Sequence, residues 1–250
     1  MTVVTLMTLM TVMKNKRFYI NNSFILYFNK NLYFIMDKIK SVVFDFDDTI
    51  VLSEQMKQDV FYEISSKYKQ RGIEYYNNYI SKKPTREQYF KGLSQHIIEH
   101  SLVDNKSSIY LYTLLLEEFS QKVSNNLKNS GELPNVRLFI KYLFNKEYKL
   151  YISSKSNEKD IIETLKHKNL LKYFKGIYGL PNLKIEHFQH IQKLENIKGD
   201  EICFIGDSES DYTTACEVKC EFIGIITNRN GLKDVICTKI TDYNDVLNLF

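Results

Sequence analysis

The chain has 250 residues, long enough for an enzyme core carrying a second, smaller domain. With 44% hydrophobic and 26% charged residues it has the make-up of a folded globular protein, which excludes an intrinsically disordered one. The net charge of +4 resides in the first 35 residues, which hold Lys14, Lys16, Arg17 and Lys30 and no acid; the remaining 30 bases meet 30 acids, and so neutral a body lacks the footprint of a nucleic-acid binder.

Residues 1–35 form a segment of their own. The Thr/Val/Leu/Met run at 2–13 is too short for a bilayer span, which needs about 20 apolar residues, and its basic residues follow it, unlike a secretory signal. An acid-free basic leader suits an organellar transit peptide, although those favour arginine over lysine; Met36, just before the first strongly patterned strand, favours an extension ahead of a start there. The expected protein is therefore cytoplasmic, with no membrane partner. Cys203, Cys216, Cys220 and Cys237 show no CxxC spacing, which fits reduced thiols in a cytosol-like compartment.

From Met36 onward, short apolar runs of strand length recur: Lys40–Phe46, Lys149–Ser153, Glu201–Ile205 and Glu221–Ile226. Helical patterns separate the later runs. Ile161, Ile162 and Leu165 make one stripe behind Ser156 as N-cap, and Ile185, Phe188, Ile191 and Leu194 make another. Buried strands alternating with helices predict an α/β fold with a parallel sheet covered on both faces. Ligands bind such sheets at the carboxyl ends of the strands, where the polar residues ending these runs sit.

Residues 53–130 break the alternation and read as helices only. Met56, Val60, Phe61, Ile64 and Tyr68 mark one stripe. Tyr89, Phe90, Leu93 and Ile97 mark a second, entered through Pro84 and a Thr85/Gln88 capping box, and Leu111, Leu114, Leu115, Phe119 and Val123 mark a third. Gly131–Pro134 reads as the return linker into a helix bearing Val136, Phe139, Ile140 and Leu143. The predicted division is a core of 36–52 and 131–250 with an α-helical cap at 53–130, inserted after the first strand as a mobile lid.

The chemistry concentrates at Asp45-Phe46-Asp47-Asp48-Thr49. Carboxylates at i and i+2 just past a strand end can turn into one site, one as nucleophile and the other handling protons, with a divalent ion neutralising both. Ser153-Ser154 ends the next apolar run, Lys184 opens a helix, and Gly206-Asp207-Ser208-Glu209-Ser210-Asp211 ends a third. Asp48 reads as a turn residue.

This constellation resembles the haloacid dehalogenase superfamily over essentially all of Met36 to Thr227. Asp45–Thr49 matches its DxDx(T/V) motif, Ser153 its hydroxyl after an apolar strand, Lys184 its lysine before a helix, and Gly206–Asp211 its GDxxxD motif. The lysine motif departs from the family pattern, with Ile185 where proline is frequent. The inserted segment resembles the helical cap of the phosphoglycolate-phosphatase-like branch. The resemblance implies a Rossmann-like, doubly wound core and an Mg²⁺-dependent phosphatase acting on a small phosphorylated metabolite.

It also implies roles. Asp45 would attack phosphorus to give an aspartyl-phosphate, and Asp47 would protonate the leaving alkoxide and then activate water. Asp45, the Asp47 main chain and Asp207 would hold Mg²⁺, with Asp211 as an outer orienter or further ligand. Thr49, Ser153, the Ser154 amide and Lys184 would bind substrate, the last three through phosphoryl oxygens. The acid at Asp47 points to phosphate-ester chemistry and away from the dehalogenase and phosphonate-cleaving branches.

A sugar phosphomutase of the same superfamily and a non-catalytic binding protein of the same fold are the alternatives. Cap residues Arg71, Lys82, Lys83 and Arg86 are candidates to meet an anionic group. His96-Ile97-Ile98-Glu99-His100 fits the pattern of an inverted zinc-peptidase helix, and is read as a solvated helix end.

Overall fold

The computed structural model describes residues 36–82, 84–100, 107–227 and 232–250. The expectations for residues 1–35 and for Lys83 lie outside them. The chain divides at Val51/Leu52 and at Gly131/Glu132 into two compact units.

The core unit is built on six parallel strands: β1 (Ser41–Phe44), β2 (Lys149–Asn157), β3 (Gly176–Leu180), β4 (Ile202–Gly206), β5 (Glu221–Ile225) and β6 (Thr238–Ile240), in the order β3-β2-β1-β4-β5-β6. The sheet is thus the doubly wound α/β arrangement expected. The four strands legible in the sequence are those with long β-branched or aromatic runs buried on both faces. The two further strands are edges. β3 (GIYGL) is diluted by glycine and mostly half-buried, and β6 has only three residues, so neither carries a strong hydrophobic run.

β1 lies between β2 and β4, so the strand order reverses direction beside it. Such a switch point opens a crevice at the strand carboxyl ends. Val43 packs on one face of the sheet with Tyr151, Phe188, Ile191, Phe204, Ala215 and Phe222. On the other face the Phe44 ring meets Phe139, Phe174 and Tyr243 at centroid separations of 6.3, 6.0 and 6.3 Å. A fully buried side chain of this size contributes about 1.5–3 kcal/mol. Covering both faces therefore fixes β1 at the centre of the unit.

The helical unit, Leu52–Gly131, contains α1 (Glu54–Ser66), α2 (Lys69–Tyr79), α3 (Arg86–Glu99) and α4 (Ser108–Leu127). Phe61 of α1 anchors it, 4.5 Å from the Phe119 ring and 4.7 Å from Tyr89. The α3 capping box forms as expected: Gln88 N donates to Thr85 Oγ1 and Thr85 N to Gln88 Oε1. Helix α2 has no counterpart among the stripes of the sequence. Its segment KQRGIEYYNNY lacks an apolar face, and its buried residues are Gly72 and Tyr75. Gly72 is there for proximity, because a Cβ would stand 1.9 Å from the Ser65 carbonyl oxygen. Tyr68 caps α2 and does not extend the α1 stripe, and Leu114 of α4 is exposed.

The core unit resumes at Glu132, which bridges Val51 antiparallel, with Leu133 N donating to the Ile50 carbonyl at 3.1 Å. It continues through α5 (Val136–Asn145), α6 (Glu158–His167), α7 (Lys184–Glu195) and α8 (Glu209–Val218). The N-cap of α6 is Asn157 and not Ser156, because β2 runs on to Asn157; its side chain accepts from Lys159 N at 2.9 Å. Helix α7 buries most of the expected stripe, with Ile185 packed against the core. Lys184, His187, Phe188 and Ile191 are buried, whereas Leu194 is 51% exposed. No helix of the described residues is long and apolar enough to cross a membrane.

Tyr243, fully buried, donates its hydroxyl to the Thr49 carbonyl at 2.8 Å, tying the chain's last turn to the loop after β1. Tyr243→Phe keeps the ring packing but strands a buried carbonyl. Urea denaturation should show a loss of about 1–3 kcal/mol.

Candidate active site

The sheet register sets the site. Phe44 pairs with Ile152 of β2 and Ile205 of β4, so the next residues, Asp45, Ser153 and Gly206, lie level across three strands. Asp45 N extends the ladder by donating to the Ile205 carbonyl at 2.8 Å. Beyond Asp45 the chain turns sharply. Ile50 N and Val51 N both donate to the Phe46 carbonyl, and Asp48 takes a left-handed conformation with φ 48°. Asp48 is thus the turn residue that the sequence predicts.

Lys184, the first residue of α7, is buried between two acids. Its Nζ donates to Asp45 Oδ1 at 2.6 Å and to Asp211 Oδ1 at 2.5 Å. Asp211 has no exposed surface, and its other oxygen accepts from Ser208 Oγ at 2.6 Å and Ser208 N at 3.1 Å, closing the cap of α8. Both Asp211 oxygens are therefore engaged within the protein. Gly206 makes room for this: a Cβ there would sit 2.7 Å from the Asp211 side chain.

Asp45, Asp207 and Asp211 each offer a carboxylate oxygen within 4.8 Å of the others, the one such convergence of three acidic, His or Cys side chains among the described residues. Its electrostatics are strained. Burial pushes the Asp45 carboxyl up to about 7, against the pull of Lys184 and with added repulsion from Asp211 and Asp47. Burial, with the charges of Asp45, Asp211 and Asp48, pushes Asp207 up to about 9. Burial also disfavours the Lys184 ammonium, but Asp45 and Asp211 outweigh it and hold the amine above its ordinary value. Clustered hard oxygen donors carrying more negative charge than one lysine offsets are a donor set that suits Mg²⁺.

Ser153 and Ser154 are both buried at the end of β2. Ser154 Oγ accepts from Ser156 N at 3.2 Å. Ser153 Oγ lies 3.0 Å from His187 Nδ1 on α7. Asp47 is half-buried, and its Oδ2 accepts from Ser156 Oγ at 2.5 Å. Thr49 is fully buried and its hydroxyl has no hydrogen-bond partner.

Three contributors are not evident from the sequence: His187, Ser156 and Ser208. His187 carries a usable signal, because it lies three residues after Lys184 and so shares its helix face. Ser156 carries none. Its role rests on a contact 109 residues away in sequence.

The other candidates belong to the helical unit. Within the helical unit Arg71 pairs with Glu74, Arg86 with Glu87, and the Lys82 ammonium stands 4.4 Å over the Tyr79 ring. His96 and His100 have ring centroids 4.2 Å apart, and His100 Nδ1 donates to the His96 carbonyl. No third ligand joins them among the described residues.

The chain belongs to the haloacid dehalogenase-like hydrolase family, whose model matches residues 42–225. The same fold occurs in a predicted phosphoglycolate phosphatase from Haemophilus somnus, 18% identical, with a TM-score of 0.66 over 85% of this chain and 98% of that one. A candidate beta-phosphoglucomutase from Thermotoga maritima is 20% identical, with a TM-score of 0.66 over 84% of this chain and 98% of its own. The magnesium-bound protein YfnB from Bacillus subtilis is 16% identical, with a TM-score of 0.60 over 84% and 98%. No curated protein matches the sequence.

The acid cluster has a stability consequence in metal-free protein. A carboxyl raised to about 9 in the fold is protonated there while its unfolded counterpart, with a pKa of about 3.9, is not; stability falls as pH rises between the two values. Asp207→Asn removes that dependence at nearly constant shape. In chelator at pH 7.5 it should melt about 2–4 °C above the parent, the shift expected for ~1 kcal/mol in a chain of this size. Scanning calorimetry at pH 5 and 7.5 checks both the gain and its growth with pH.

Proposed function

We propose that the protein is an Mg²⁺-dependent phosphatase that hydrolyses a small phosphomonoester through an aspartyl-phosphate on Asp45. The observation that carries this reading is the pairing of two unlike carboxylates. Asp45 is buried against the Lys184 ammonium, and Asp47, two residues on, is half-buried and held by the Ser156 hydroxyl.

In the first half-reaction Asp45 attacks phosphorus, the ester P–O bond breaks, and the Asp47 carboxylic acid gives its proton to the departing alkoxide. In the second, the Asp47 carboxylate takes a proton from water, whose oxygen attacks the aspartyl-phosphate, releasing phosphate and restoring Asp45. Lys184, Ser153 and the Ser154 amide hold the phosphoryl oxygens, and the Lys184 charge stabilises the negative charge that builds there. Asp45, the Asp47 main chain and Asp207 would hold Mg²⁺, which when bound supplies positive charge against the acids and the phosphoryl group, while Asp211 keeps Lys184 in place. Family members resembling this chain in fold include one named as a phosphatase and one bound to magnesium, which supports the reading.

The helical unit is the cap in this reading. It restricts the leaving group to metabolite size, and its residues select among substrates. The neutral charge of residues 36–250 gives no reason to expect a polyanionic partner.

Purified protein should hydrolyse an activated aryl phosphate with Mg²⁺ and fail in EDTA. Asp45→Asn should abolish turnover and phosphoryl-enzyme trapping; more than a few per cent of residual activity refutes the mechanism. Asp47→Asn should lose about 10²–10⁴-fold on alkyl phosphates and much less on esters whose leaving group needs no proton. Competition between a sugar phosphate, a 3′-phosphorylated oligonucleotide and a phosphopeptide checks the substrate class, with the sugar phosphate expected to have the highest kcat/KM.

A further inference from the structure

Within the core unit, one buried polar residue beside the site, His187, has no part in the chemistry above. His187 of α7 is 2% exposed, Ser153 of β2 is fully buried, and Nδ1 lies 3.0 Å from Oγ. His187 Nε2 is also buried and has no hydrogen-bond partner. A buried imidazole that commits one nitrogen to a hydroxyl and leaves the other bare needs an account.

The account lies in proton counting. A serine hydroxyl has one proton and two lone pairs, and a neutral imidazole has one N–H and one bare nitrogen. If His187 Nδ1 were bare, it would take the only proton of Ser153. The hydroxyl would then present lone pairs to phosphoryl oxygens, which carry only lone pairs themselves. If Nδ1 carries the proton, His187 donates to Ser153, and the hydroxyl proton stays free to point at an oxyanion. The bare atom in that tautomer is Nε2, the atom found without a partner. A buried orphan N–H is rarer in proteins than an undersatisfied acceptor, so the orphaned position favours the same tautomer.

The charged ring is the remaining alternative. Burial disfavours it, and so does the Lys184 charge. The Gly179 carbonyl, Glu186 and Glu158 pull the other way, but the ring still stays below the ordinary histidine pKa. The Gly179 carbonyl makes no hydrogen bond with Nε2.

We propose that His187 is a positioning residue: it donates from Nδ1 to Ser153 Oγ and so reserves the serine proton for a phosphoryl oxygen. This deepens the phosphatase reading and rests on it, since it takes Ser153 to be an oxyanion ligand. Helix geometry makes one element serve two purposes. Lys184 and His187 lie three residues apart on the buried face of α7, so one helix sets both a cation at Asp45 and the hydroxyl at the end of β2.

The test combines a spectroscopic readout with a mutant cycle. In ¹⁵N-histidine NMR of the wild-type protein, His187 Nδ1 should show the protonated, pyrrole-type signal and Nε2 the bare, pyridine-type one. His187→Phe keeps a ring but no donor. Binding of inorganic phosphate with Mg²⁺ should weaken about tenfold, and KM should rise by a similar factor with a smaller change in kcat. His187→Asn, whose amide nitrogen can stand near the Nδ1 position, should recover most of the loss. In a Ser153→Ala background His187→Phe should change phosphate binding less than about twofold, because its effect passes through the serine.

A protonated Nε2, or an equal loss in both backgrounds, overturns the proposal while leaving the phosphatase reading intact. Wild-type protein that binds no phosphate and turns over no phosphomonoester overturns both. The NMR measurement uses unaltered protein, so it decides the tautomer even where a variant fails to fold.

Discussion

The Lys184 ammonium holds the core of this protein's site in place. An isolated buried charge costs several kcal/mol, and pairing recovers that only where geometry is good and the remaining hydrogen bonds are made. Here a carboxylate from a strand end and another from the first turn of a helix meet one amine, at 2.6 and 2.5 Å. Asp45 arrives at the end of β1. Asp211 arrives from α8, close enough only because residue 206 has no side chain. Ser208 completes Asp211's hydrogen bonding, so that acid's whole capacity goes to holding the lysine and capping its own helix. Asp45 precedes Lys184 by 139 residues and Asp211 follows it by 27, and all three segments are joined at one nitrogen atom.

The same cluster gathers more carboxyl groups than one lysine can pair. Burial and mutual repulsion push Asp45 and Asp207 upward in the bare protein. A fold selected for stability alone would have replaced one of these acids with a neutral residue. Such a set of clustered carboxyl oxygens suits a divalent cation. The outer contacts follow the same logic. Ser156 fixes an oxygen of Asp47, and Lys155 donates to Ser210 at 2.6 Å, so the end of β2 is tied to the segments after both β1 and β4.

What is legible in the sequence is what local chemistry encodes. β1, β2, β4 and β5 announce themselves as apolar runs, and the acids after β1 and β4 stand out because charge directly after such a run is unusual. The α3 capping box is equally local. β3 and β6 are edge strands with little hydrophobic content, and α2 is held by the close approach permitted at Gly72, so no periodicity marks them. The apolar residues of α7 mark only part of its buried face, because that face also carries Lys184 and His187. Polar residues on a helix's inner face look like its outer face until their partners are known. Ser156 misleads for a similar reason, since a serine beside a helix start is also a natural cap. The site's acids and Lys184 are thus visible in the sequence, whereas the partnerships of Ser156 with Asp47 and of Ser208 with Asp211 are visible only in three dimensions.

The position of the helical insertion follows from the turn after β1. Phe46 accepts from both Ile50 and Val51, and Val51 bridges Glu132, so the core closes its own hydrogen bonds at the point where the chain leaves and returns. An inserted segment whose ends already lie side by side adds little closure entropy to the core, because that cost grows only slowly with loop length. The Asp45–Thr49 turn is thus closed by hydrogen bonds of the core unit's own residues. The helical unit in turn has its own centre around Phe61, Tyr89 and Phe119, independent of the sheet. The acids, the lysine and the hydroxyls of the candidate site all belong to the core unit, and the helical unit packs around a centre of its own.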